Sequence, residues 1–104
     1  MQNTETAVYR DSASSIGLTT SERHRLLQSL HRRLAVAVLS ERTPPVDLDE
    51  LALATVDQSV EEESASLTVR ESTISLHHAH LPLMDDLGVL EYDPQANRIR
   101  SHVF

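Results

Sequence analysis

The sequence contains no cysteine and no lysine. Without cysteine, disulfides and thiolate metal centres are excluded. Glycine occurs only at Gly17 and Gly88, so a Gly-rich loop that cradles phosphate cannot be assembled. The aromatic residues are Tyr9, Tyr92 and Phe104, which leaves Leu, Val, Ile and Ala to build the core. No apolar run approaches the roughly 18 residues of a membrane span. The polar N-terminus has no signal-peptide pattern. The expectation is a soluble cytoplasmic protein with no membrane partner.

What the chain does have is acid. Sixteen carboxylates oppose nine basic residues, all of them Arg, for a formal net charge of -7. An acidic, lysine-free surface stays hydrated in concentrated salt, where self-repulsion is screened. This reads as a halophile signature, with an ordinary acidic small protein as the alternative. The charge argues against generic nucleic-acid binding, which normally goes with a basic balance.

At 104 residues with 39% hydrophobic content, the chain is expected to form one domain. Residues 1–17 are polar and aperiodic and read as a flexible tail. Residues 18–104 read as the folded domain. Its first predicted helix runs from Leu18 to Arg42. Thr19 and Glu22 have the spacing of a capping box. Leu26, Leu27, Leu30, Leu34, Ala37 and Val38 share a face. Arg25 and Arg32 lie on the opposite face with His24 and His31 beside them. The row is a solvated face or a phosphate or partner contact.

Pro44 and Pro45 stop that helix. Val46 reads as a one-residue strand able to pair with a later hairpin. A second helix starts at Asp47 with a capping-box-like Glu50 and a Val46–Leu51 staple. It buries Leu48, Leu51, Ala52, Thr55 and Val56 and ends near Gln58. Glu61 to Glu63 mark an exposed connection. A third helix is predicted from Leu67 to Leu87. Ile74, Leu76, His77, His80, Leu81, Leu83, Met84 and Leu87 face inward, and Pro82 kinks it. Glu71, Ser75, His78, Pro82 and Asp86 face outward. Gly88 ends the helix in the left-handed conformation. A hairpin completes the chain: Val89 to Tyr92, a turn over Asp93 to Asn97, and Arg98 to Phe104.

Helices followed by a short hairpin give the expected fold class: mainly α with a small β-hairpin, a winged helix-turn-helix of three helices plus wing. In that fold the third helix enters the major groove through Ser72, Ser75, His78 and Ala79. Arg25, Arg32, Arg98 and Arg100 would neutralise phosphates of double-stranded DNA. Arg98 and Arg100 share one face of their strand, and edge arginines also serve to block aggregation. Glu71 and Asp86 on the reading face work against DNA. The two functional expectations are a homodimeric DNA-binding transcriptional regulator and a protein–protein interaction or dimerisation module that binds no DNA.

Enzyme activity, a cofactor and a small-molecule substrate are not expected, since Ser, His and Asp occur at no spacing that specifies a triad. His77 and His80, one helical turn apart, could share a metal but lack a third ligand, so no metal is expected. They read instead as buried neutral imidazoles with one or two hydrogen bonds each, and His78 as the exposed member.

The stretch from Ile74 to Asp93 resembles a family of small haloarchaeal winged-helix domains with no assigned function. The resemblance rests on Leu76, His78, His80, Leu81, Pro82, Leu83, Gly88, Tyr92 and Asp93, which follow a motif of the form L-x-H-x-H-L-P-x-L, then Gly and Tyr-Asp. Arg23, Arg25, Arg32 and Arg33 look like the family's Arg-rich first helix, and Val46 to Ala52 looks like its second. Leu83 stands where members often have Lys, which removes a possible phosphate contact. The resemblance spans Leu18 to the C-terminus and implies a DNA-binding regulator from a halophilic archaeon. It carries over no tested binding residues.

Overall fold

The computed structural model describes residues 17–61 and 67–104. Residues 1–16 of the expected tail, and 62–66 of the acidic connection, lie outside the described residues. Helix α1 spans Thr20–Leu27, α2 Leu30–Leu39, strand β1 Val46–Asp47 and α3 Leu48–Glu61. Helix α4 covers Val69–Ser75, a π-helical turn Leu76–His80, and α5 Leu81–Asp86. Strands β2, Leu90–Asp93, and β3, Arg98–His102, complete the order. The described chain is therefore mainly helical with one small antiparallel sheet, in the order β1-β3-β2.

The predicted helix from Leu18 to Arg42 is two helices. The Thr19–Glu22 capping box opens α1 in both directions. The break comes at Ser29, whose backbone is extended and whose hydroxyl accepts from the Arg32 N–H. Serine competes with the helical ladder in this way and favours a cap over a helix interior. Arginine side chains cap the end this creates: Arg32 reaches the Leu26 and Arg25 carbonyls, and Arg33 the Leu27 carbonyl. Those are the orphan acceptors of a helix C-terminus. The break also turns the buried face. Ala35 and Leu39 are buried in α2 and Ala37 is exposed.

Val46 does pair with the hairpin, opposite Ile99, and Asp47 opposite Arg98. The Asp47 carboxylate does not cap α3 as expected, because Arg98 holds it across the strands at 3.0 Å. The Leu48 N–H goes instead to the Asn97 carbonyl. Helix α3 runs past Gln58 to Glu61. Thr55 and Ser59, both buried, return their hydroxyls to the Leu51 and Val56 carbonyls, so neither leaves an unpaired polar group in the core.

The third predicted helix is interrupted rather than merely kinked. A Thr68–Glu71 capping box starts it. The π turn comes next, and its wider loop is closed by the Leu81 N–H on the Leu76 carbonyl. Pro82, in the first turn of α5, has no N–H to give to a regular ladder, and one extra residue in the turn accommodates it. That extra residue rotates the preceding helix against the projection. Ile74, expected inside, is exposed, and Ser72, expected outside, is fully buried.

Gly88 has φ +80° and closes α5 as predicted. Strands β2 and β3 pair with a bulge between Glu91 and Tyr92. The turn between them is held by the Asp93 carboxylate, which accepts from the Gln95 and Ala96 N–H groups, and Asn97 takes a positive φ. Leu39, Leu51, Leu76, Leu81, Met84, Val89 and Ile99 are fully buried in one core that joins the helices to the sheet.

Candidate nucleic-acid interface

Eight side chains were expected to meet DNA, and the structure separates them. Arg25, His78, Arg98 and Arg100 are exposed, and Ser75 is half-buried. Ser72 and Arg32 are buried. Their placement corrects the expectation that both face a ligand. The cause is the pair of helix irregularities: the Ser29 break swings Arg32 under α1, and the π turn swings Ser72 toward α2.

Inside, these two residues meet two histidines. Ser72 Oγ lies 2.9 Å from His31 Nε2. Arg32 Nη1 lies 3.1 Å from His80 Nδ1. Arginine has only donors, so His80 Nδ1 accepts and its proton sits on Nε2. The two imidazoles meet edge to face, with centroids 4.7 Å apart. Burial, with Arg32 nearby, lowers the His31 pKa. Burial, with His31 and Arg32 nearby, pushes His80 down to about 4. The Arg32 guanidinium is itself lowered, by burial and by Arg25.

The expected burial of His77 and His80 is only half realised, since both rings are half-exposed. His80 is neutral at pH 7, as expected, and its partner is an arginine. His77 Nδ1 shares a hydrogen bond of 2.6 Å with the Tyr92 hydroxyl. His77 and His80 therefore point to different partners and do not converge on a metal. Among the described residues, no group of three or more His, Asp or Glu side chains could hold one.

At the hairpin, both arginines are engaged by carboxylates. Arg98 Nε is 3.0 Å from Asp47 and Arg100 Nη2 is 2.7 Å from Asp93. Arg100 and the backbone N–H groups of the turn hold the Asp93 carboxyl below its usual range. Arg98 also borders an open groove with Asp47, Asp49, Glu50, Ala96 and Asn97. Glu71 and Asp86 are exposed on the third-helix segment, as expected, along with Arg70, Ile74 and Ala79. Sequence reasoning missed Arg70 and Ile74 as surface groups of this segment. The Thr68-x-x-Glu71 signal would have set the true helix start, though not the π turn that rotates the helix faces.

No helix among the described residues is long and apolar enough to cross a membrane. The chain belongs to a family of domains of unknown function, DUF7344, whose model matches residues 24–100. No curated protein and no solved structure matches it.

Proposed function

We propose that this member of the DUF7344 family is a winged-helix DNA-binding transcriptional regulator, acting as a homodimer in the cytoplasm of a halophilic archaeon. The observation that supports it is the order of elements. Two N-terminal helices, a short strand, two further helical segments and a hairpin, with the first strand on the outer side of β3, support the winged helix-turn-helix reading. In this reading Ser75, His78 and Ala79 approach base edges, and Arg25, Arg98 and Arg100 approach phosphates. Arg70 joins them at the start of the third-helix segment. Arg32 and Ser72 take no part.

A second reading, a protein-interaction module without DNA binding, is favoured by a different observation. Arg98 and Arg100 are already paired with Asp47 and Asp93, and the chain carries a net charge of -7. Leu53 and Val60, seven residues apart on α3, are exposed apolar side chains of the kind an interface covers.

The experiment is binding to sheared genomic DNA across a range of salt concentrations. The DNA reading expects log-log salt dependence, with Arg98→Ala and Arg100→Ala each reducing the slope by about one. A protein that binds no duplex even at the lowest salt in which it stays folded removes that reading and leaves the interaction module.

A further inference from the structure

Helix α2 and the third-helix segment are tied by two side-chain bonds, His31 to Ser72 and Arg32 to His80. Both bonds contain an imidazole, and the imidazoles touch each other. We propose that His31, Arg32, Ser72 and His80 form a proton-operated latch, held shut by neutral imidazoles and released by imidazolium. This device is independent of whether the partner is DNA or protein.

The geometry sets the direction. A proton on His80 Nδ1 would turn the acceptor that meets Arg32 Nη1 into a donor. It would also place a second positive charge 3.1 Å from the guanidinium. Like charges in a half-buried junction repel far more than they do in water. Closure therefore excludes the proton, and opening admits it.

The charged neighbours do not offset this. From α1 comes Arg25, a further cation acting on Arg32. From α2, Arg33 is turned away onto the Leu27 carbonyl. Within the π turn, His77 is committed to Tyr92 and stacks edge-on with His78. From α5, Asp85 accepts from the Tyr92 N–H. Of β2, Asp93 is held by Arg100. Helix α3 packs on α4, and its described acidic side chains Asp49, Glu50 and Asp57 are exposed. Among the described residues, no carboxylate pairs with His31 or His80.

The size of the effect is set by linkage. An open state in which His80 titrates near 6.5, against about 4 when closed, is favoured about thirtyfold more at pH 5 than at pH 8. His31, shifted the same way, adds to that. Mild acid would thus loosen the third-helix segment from α2 while the core beneath stays packed.

Hydrogen exchange tests this on the full chain at pH 5 and pH 8, read as protection factors. Amides from Ser72 through His80 should lose protection by about thirtyfold or more at pH 5. Leu51 and Ala52, in the core of α3, exchange through global unfolding and should stay better protected than that segment at both pH values. His80→Gln keeps an acceptor for Arg32 without a titrating group and should abolish most of the difference, whereas His24→Gln, an exposed control, should leave it intact. Protection that does not depend on pH, or a segment as well protected as Leu51 and Ala52 at both pH values, overturns the latch. So does a His80→Gln variant that retains the full difference. Should that variant not fold, imidazole titration of the unmodified protein decides: His80 titrating below pH 5 supports the latch, and His80 titrating at 6.5 or above overturns it.

Discussion

The imidazole of His77 and the hydroxyl of Tyr92 lie 2.6 Å apart and fasten the π turn to the first strand of the hairpin. Their rings also meet edge to face at 5.8 Å. The orientation of the hairpin relative to the third-helix segment therefore rests on a polar bond above a packed core. Tyr92→Phe keeps the ring and removes the bond. We expect a loss of about 0.5–1.5 kcal/mol in urea denaturation. His77→Leu combined with Tyr92→Phe should cost clearly less than the sum of the two, because each single change already breaks the same bond. Additive losses would show that the bond contributes nothing.

Arg32 is expected to matter for stability rather than for ligand binding. It is 8% exposed, and it caps two carbonyls of α1 while holding His80. Arg32→Ala leaves those acceptors without partners, and we expect a cost of about 2–4 kcal/mol. Arg25→Ala, on the exposed side, should stay within about 0.5 kcal/mol. Thermal or urea unfolding of the two variants side by side would check the contrast. Equal small losses would place Arg32 on the surface.

Gly88 offers a cleaner backbone test. A Cβ built there meets nothing within 4 Å, yet φ is +80°. The cost of Gly88→Ala should thus be conformational alone, about 1–2 kcal/mol. Gly88→Asn should recover part of it, since Asn tolerates the left-handed region. A larger loss for both would point to a steric contact.

Stability should depend on pH in a defined window. The folded pKa values of His31 and His80 lie below that of the unfolded chain. The unfolded chain then binds more protons at intermediate pH. Their stabilising contribution is complete above the unfolded value of about 6.5. It declines as pH falls from there towards about 4 for His80, by up to tenfold in the folding constant per pH unit per histidine. Asp93, lowered from 3.8 by Arg100 and the turn N–H groups, contributes a separate loss only below that value. Urea midpoints between pH 8 and pH 4 should trace the first decline. A flat profile down to pH 5 would mean both imidazoles titrate freely in the folded protein.

Local chemistry alone determined much of this protein. The Thr19 capping box, the Gly88 terminus and the Asp93 turn depend on residues within a few positions of each other, and each forms where the sequence places it. So do the helix–hairpin order and the pairing of Val46 with the last strand. Periodicity found most of the core for the same reason, because an unbroken helix or strand fixes which side chains share a face. Tertiary structure decided what periodicity could not: where the ladder breaks. The Ser29 break is secured by Arg32 and Arg33 reaching back over a previous helix. The π turn is secured by His77 on Tyr92 and His80 on Arg32, partners 15 and 48 residues away. Each irregularity rotates a face, and a small rotation is enough to exchange inside for outside. Ser72 and Arg32 crossed into the interior and Ile74 crossed out of it. The candidate interface was therefore only partly legible, because its composition was written locally and its orientation was set by contacts across the fold.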